Sequence, residues 1–134
     1  PQDGRVRTIE LDEKHAAFAE AAFAASDVAG RIELHRGKGS EILATFDDAS
    51  ADAAFLDADK ASYPRYLEES IRIVRRGGLI LVDNAFAFGQ LLDENPTDLD
   101  AVAHIAFNEV MANESRVPSV IVPIGDGVWV GVRA

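Results

Sequence analysis

The sequence contains no cysteine. Disulfides, thiolate zinc sites and cysteine nucleophiles are therefore excluded, and a reducing compartment is allowed though not required; the location expected is cytoplasmic. No apolar run approaches the roughly 18 residues of a membrane span. The opening residues lack the basic-then-apolar pattern of a secretory signal. Positive charge is scarce: 13 Lys and Arg stand against 23 Asp and Glu, a net charge of −10. Phosphate backbones and anionic membranes need a basic surface, so neither nucleic acid nor membrane is expected as a partner. With 48% hydrophobic residues the chain is not disordered by composition. Its 134 residues fit one domain. A chain of that length buries roughly two-thirds of its unfolded surface. There is no internal repeat and no low-complexity linker. The first residue is Pro1, and Pro1-Gln2-Asp3-Gly4 reads as a turn feeding straight into a strand, as if from the middle of a longer fold.

Strand and helix patterns alternate along the chain. Val6 to Leu11 is a β-rich run that includes Glu10. Asp12 is placed to cap the next helix, with Glu13 in its first turn. His15 to Ser26 is Ala-rich and helical. Arg31 to His35 alternates as a strand, and Ser40 to Phe46 is a short helix after the Gly37-Lys38-Gly39 turn. Ala51 to Leu56 is an apolar strand ending at Asp57. Ser62 to Val74 spaces Tyr63, Tyr66, Leu67, Ile71 and Val74 as a helix, with Pro64 in its first turn and Gly77-Gly78 as its stop. Leu79 to Val82 is an apolar strand ending at Asp83-Asn84, of the kind covered on both faces. After a loop at 85–97 come a helix over Leu99 to Met111 and two β runs, Val117 to Ile124 and Val128 to Val132. The Gly125-Asp126-Gly127 between them is a hairpin signal. The fold class is α/β, with an open, mostly parallel sheet edged by an antiparallel hairpin.

Ligands of open parallel sheets bind outside the carboxyl ends of the strands. Glu10, Asp57 and Asp83-Asn84 all occupy such ends. The strands before Asp57 and Asp83 are joined by one helix, which makes them neighbours about 4.8 Å apart. Asp57, Asp83 and Asn84 then offer three oxygen ligands, which suits Mg²⁺ or Ca²⁺. The plainer reading of each Asp is a turn former or cap. Lys60 follows Asp57 by three residues. It is either a general base, an orienting cation for a substrate oxygen, or a solvated lysine. Glu10 suits ribose hydroxyls or is a surface carboxylate. His15, His35 and His104 lack ligand spacing and are expected at the surface or half-buried. Trp129 is expected in the core.

Leu56-Asp57-Ala58-Asp59-Lys60 with Tyr63, then Arg76-Gly77-Gly78 and Val82-Asp83-Asn84 with Gly89, resemble the cation-dependent O-methyltransferases, the caffeoyl-CoA and catechol enzymes and their bacterial relatives. Thr8-Ile9-Glu10-Leu11, Phe107-Asn108-Glu109 and Pro123-Ile124-Gly125-Asp126-Gly127 extend the resemblance over the whole chain. It implies a Rossmann-like sheet and methyl transfer from S-adenosylmethionine to a hydroxyl of a small, catechol-like aromatic. By position, Asp57, Asp83 and Asn84 bind the cation (Mg²⁺, or Ca²⁺ or Mn²⁺), and Lys60 matches the proposed general base. Glu10 holds the cofactor ribose, Gly39 and Ser40 lie along the adenine, and Asp57 also faces the methionine amine. A homodimer is implied as well.

The family's first strand and Gly-rich cofactor loop do not appear before Glu10. The reading is therefore of one methyltransferase domain, 1–134, truncated at its N-terminus. Its missing strand is central, so two sheet pieces with open edges are expected, and weak cofactor binding. The family's tryptophan is replaced by Ala87. Two other classes compete. One is a methyltransferase-like module without catalysis. The other is a response-regulator receiver phosphorylated at Asp57, which lacks its acidic pair and its lysine here.

Overall fold

The computed structural model describes residues 3–134; Pro1 and Gln2, which open the expected first turn, lie outside the described residues. The described residues form two compact units, divided between Thr45 and Phe46. Among the described residues no helix is long and apolar enough to cross a membrane.

In the first unit β1 (Val6–Glu10) and β2 (Ile32–Arg36) pair in parallel, Val6 opposite Ile32 and Glu10 opposite Arg36. Between them runs α1 (Glu13–Ala24). Asp12 caps it as expected, accepting from the backbone N–H of Lys14 and His15. Arg36 ties β2 to α1 by ion pairs with Glu13 and Glu20. After β2 the four-residue α2 (Gly39–Ile42) runs into a 3-10 turn, Leu43–Thr45.

The second unit carries β3 (Ala51–Leu56), α3 (Tyr63–Ile73), β4 (Val74–Val82), α4 (Leu99–Asn113), β5 (Ser119–Val122) and β6 (Val128–Val132). Its sheet has the order β3-β4-β6-β5. The β3/β4 pair is parallel, as one connecting helix requires; β4/β6 and β5/β6 are antiparallel. One face buries Leu56, Ile80, Val82 and Trp129 together with Tyr63, Leu67 and Ile71 of α3 and Phe107 and Met111 of α4. Trp129 Nε1 donates to Asn108 Oδ1 at 2.7 Å, which satisfies the indole and fixes α4 to β6.

Two expectations are corrected. Within this unit Leu79 to Val82 has one buried face: Ile80 and Val82 are fully buried, but Leu79 is 40% exposed and Phe55, paired with Leu81, is 59% exposed. Both helices of this unit pack on the same side. Gly77-Gly78 do not stop α3 either. The helix ends at Ile73, where β-branched Val74 turns extended and starts β4. The two glycines instead shape a bulge. Between the pairs Ala51–Val74 and Ala53–Leu79, β3 advances two residues and β4 five. Gly77 takes φ +75°, and Gly78 passes so close to β3 that a Cβ there meets the Asp52 carbonyl at 2.6 Å.

That contact is with backbone, which cannot rotate away. Gly78→Ala is expected to cost about 1–3 kcal/mol and to lower Tm in thermal denaturation. Gly30, with nothing within 4 Å of its Cβ position, is the control. A Gly78→Ala Tm equal to that of Gly30→Ala would show that the bulge yields.

Candidate active site

The site residues of the second unit are placed by strand pairing. Leu56 and Val82 are opposite each other, and the Asp83 N–H donates to the Leu56 carbonyl at 3.0 Å. Pairing thus extends one step past β4, and Asp57 and Asp83 leave the sheet side by side. Asn84 follows with φ 65°, a left-handed conformation that asparagine adopts more readily than other side chains.

Each of these three residues has one polar atom fixed. Asp57 Oδ1 accepts from Lys60 Nζ at 3.2 Å. Asp83 Oδ1 accepts from the Asn84 N–H at 2.8 Å. Asn84 Nδ2 donates to Asp126 Oδ2 at 3.4 Å. Asp57 Oδ2, Asp83 Oδ2 and Asn84 Oδ1 remain without a hydrogen bond among the described residues. Three such oxygens, with no nitrogen or sulfur, match the donors that hard divalent cations take. Among the described residues no group of three His, Cys, Asp or Glu is placed to hold a metal, and this set of two carboxylates and an amide is of a different kind.

Lys60 is not a solvated lysine. It opens the 3-10 turn Lys60–Ser62 ahead of α3 and is only 6% exposed. Its ammonium donates to the Tyr63 hydroxyl at 2.7 Å and to Asp57. Burial pulls its pKa down, but the bonds to Tyr63 and Asp57 outweigh burial and hold it above the ordinary lysine value. Beside it, Tyr66 donates to Asp59 Oδ1 at 2.6 Å. Burial pushes the Asp59 pKa up, yet the bonds from Ser62 and Tyr66 prevail and the net shift is down.

The loop after Asn84 is strained. Ala87 and Phe88 have φ 52° and 56°, and Gly89 follows at 79°. Asp126 of the hairpin turn holds this conformation. Its carboxylate accepts from the Phe88 N–H at 2.8 Å and its carbonyl from the Phe86 N–H at 2.8 Å. Phe88 is left 45% exposed, its ring centroid 5.8 Å from Lys60 Nζ. An exposed aromatic beside a buried cation is a surface for a flat ligand. Neither Phe88 nor Asp126 stands out by spacing; only the Gly-flanked turn hinted that Asp126 matters.

In the first unit Glu10 ends β1, and its carbonyl accepts from the Gly37 N–H at 3.0 Å. Glu10 and the turn leading to Gly39 and Ser40, the first residues of α2, therefore share the carboxyl end of the two-stranded sheet. The Glu10 carboxylate accepts from the Asp12 N–H at 2.8 Å.

His104 is neither at the surface nor half-buried. It is fully buried in α4, and neither ring nitrogen has a hydrogen-bond partner among the described residues. Its ring meets Tyr63 at 5.3 Å and Phe107 at 5.7 Å between centroids. The signal was present: His104, Phe107, Asn108 and Met111 fall on one helical stripe. Burial, reinforced by the Lys60 charge against the opposing Asp126 and Asp83, depresses its pKa from 6.5 to about 4.

A parallel strand pair ending in hard oxygen donors, with a buried lysine alongside, places the site at the carboxyl edge of an α/β sheet. The chain matches the O-methyltransferase family over residues 1–134. It is 35% identical over 132 residues to a Mycobacterium tuberculosis protein that carries the name O-methyltransferase, covering 98% of this chain and 59% of that one. A Mycolicibacterium smegmatis relative is 33% identical, with 98% and 63% covered. Among solved structures, the Bacillus cereus O-methyltransferase in complex with SAH superposes with a TM-score of 0.85 at 28% identity, covering 98% of this chain and 63% of that one. The O-methyltransferase TomG of Streptomyces achromogenes, involved in tomaymycin synthesis and solved with SAM, gives 0.86 at 30% identity, covering 100% and 64%. The chain belongs to the O-methyltransferase family and has its Rossmann-like fold; the receiver reading falls. It spans about three-fifths of the length of the curated relatives named here.

His104 yields a test of the packing. The folded chain binds a proton there at about 4, the unfolded chain at 6.5. Between these values the unfolded state holds more protons, so stability is complete above the higher value and falls as pH drops towards the lower one. The full span is worth about 3 kcal/mol. Urea titrations of the native chain and His104→Leu at about pH 7 and pH 4.5 should show a smaller loss on acidification in the variant. Equal losses would mean that His104 is protonated in the fold.

Proposed function

We propose that this chain carries the site of an S-adenosylmethionine-dependent, divalent-cation-dependent O-methyltransferase acting on a hydroxyl of a small, catechol-like aromatic. The observation that supports it most is the side-by-side exit of Asp57 and Asp83-Asn84, with one oxygen left on each residue, next to buried Lys60. Asp57, Asp83 and Asn84 are the residues for the cation, which when bound polarises a substrate oxygen and lowers the pKa of its hydroxyl. Glu10 is the ribose residue and Gly39 and Ser40 the adenine residues, with Asp57 also serving the methionine amine.

In the reaction the acceptor oxygen attacks the sulfonium methyl carbon. A C–O bond forms as the C–S bond breaks, the electron pair passes to sulfur, and the hydroxyl proton leaves. Lys60, by its spacing a candidate general base, acts here as the catalytic ammonium: held above the ordinary lysine pKa by Tyr63 and Asp57, it stabilises the acceptor oxyanion while the hydroxyl proton passes to solvent. Phe88 supplies a flat wall for the acceptor ring. The alignment of oxygen, carbon and sulfur supplies most of the rate. A reducing cytoplasm and a homodimer complete the proposal, with no part for nucleic acid or membrane.

The test is methyl ether formation from catechols with S-adenosylmethionine and Mg²⁺. EDTA and Asp57→Ala are each expected to abolish turnover, with Mg²⁺, Mn²⁺ or Ca²⁺ restoring it after EDTA. No product from any catechol with any of these cations sinks the proposal. Phe88→Ala is expected to raise the acceptor KM several-fold, about 1 kcal/mol, while leaving the cofactor Kd unchanged by titration calorimetry. An unchanged acceptor KM removes Phe88 from the acceptor wall.

A further inference from the structure

We infer that Tyr63 is a positioning residue for Lys60, its buried hydroxyl fixing where the lysine ammonium is held at the end of β3. The inference rests on Lys60 being the catalytic residue proposed above. A lysine stem has four rotatable bonds and no directional preference of its own. At 6% exposure this one needs acceptors placed for it. Two are present, the Tyr63 hydroxyl at 2.7 Å and Asp57 Oδ1 at 3.2 Å. Asp57 is itself half-exposed at 52% and is a poor anchor alone. Tyr63 is fully buried.

The donor inventory sets the direction of each bond. An ammonium only donates, so the Tyr63 oxygen accepts from it. The hydroxyl proton must then go elsewhere, and the Leu56 carbonyl lies 3.3 Å away. That carbonyl also accepts from the Asp83 N–H. Tyr63 is therefore referenced to the backbone atom that sets Asp57 and Asp83 side by side. Its ring is held edge-on by His104 at 5.3 Å and Phe107 at 5.2 Å, at interplanar angles of 72° and 81°. A residue that only filled the core would need none of this polar arrangement; phenylalanine would do.

Lys14, Lys38 and Lys60 are the only lysines, which makes competitive reductive methylation a clean readout by peptide mass spectrometry. Tyr63→Phe is expected to raise the Lys60 labelling rate about fivefold relative to Lys14 and Lys38, the loss of one modest hydrogen bond. Met111→Ala, a cavity in the same core away from that hydroxyl, is expected to lower Tm without changing the ratio. An unchanged ratio in Tyr63→Phe, or an equal rise in Met111→Ala, overturns the inference. The unaltered protein gives a check that needs no variant: Lys60 should show a slowly exchanging ammonium signal in ¹⁵N spectra, and exchange as fast as at Lys14 overturns it too. Where turnover is measured, Tyr63→Phe should lower kcat about tenfold with both KM values unchanged. Absence of turnover would defeat the functional proposal alone, since the labelling result stands without it.

Discussion

The Asp83 N–H to Leu56 carbonyl bond, at 3.0 Å, is the constraint on which the site depends. It closes the β3/β4 ladder one step beyond Leu56–Val82 and brings two carboxylates out of adjacent strands at one level. Strand register is stiff because side chains alternate between faces. A slip of one residue sends Ile80 and Val82 to the exposed face and exchanges Leu79 and Leu81 for them. The buried face of β4 therefore guards the position of Asp83. At the other end of the ladder the bulge at Gly77-Gly78 absorbs the mismatch in strand lengths, which lets the register near the site stay regular.

The second requirement is a home for a buried ammonium. Desolvating Lys60 is unfavourable, and the fold meets it with two acceptors of different kinds. Asp57 contributes charge but stands at the surface, where water competes. Tyr63 contributes a neutral oxygen in the core, where geometry is enforced by packing. The same helix α3 supplies Tyr66 to Asp59, so Asp59 and Lys60, adjacent in the turn after β3, are both held from one helical stripe. His104 remains neutral beside them, which spares the core a second cation next to Lys60.

Much of this was legible in the sequence. Asp57, Asp83 and Asn84 were visible because apolar strands end abruptly in acids, and a single helix between strands implies parallel neighbours. The Asp12 cap and the hairpin turn carried local chemistry that packing does not override. What was hidden depends on contacts distant in sequence. Gly77-Gly78 look like a helix stop because nothing local reveals that Gly78 must pass the Asp52 carbonyl. Lys60 looks solvated because a lysine between acids usually is; its burial comes from α3 and α4. The grip of Asp126 on the Phe88 loop joins residues 38 apart in the chain, and no periodicity reports it. Glu10 was read from its place at a strand end and Gly39 and Ser40 by resemblance, and the structure adds only that Glu10 and the turn before α2 lie at one end of β1 and β2.

The proposed role of Asp57 and Asp83 draws support from a bonding pattern unlike that of a turn-forming acid. An aspartate that only caps a turn directs its carboxylate at backbone N–H groups, as Asp12 does with one oxygen bonded to two of them. Asp57 makes no such backbone bond, and Asp83 makes a single one to its neighbour, Asn84. Asn84 adds an amide whose N–H₂ is turned to Asp126, which leaves its oxygen as the free end. In a chain of net charge −10, Lys60 is the cation paired with these acids among the described residues of their unit, and it bonds to only one of them. Under the proposed function, the oxygens that these bonds leave over on Asp57, Asp83 and Asn84 are the ones a divalent cation would take.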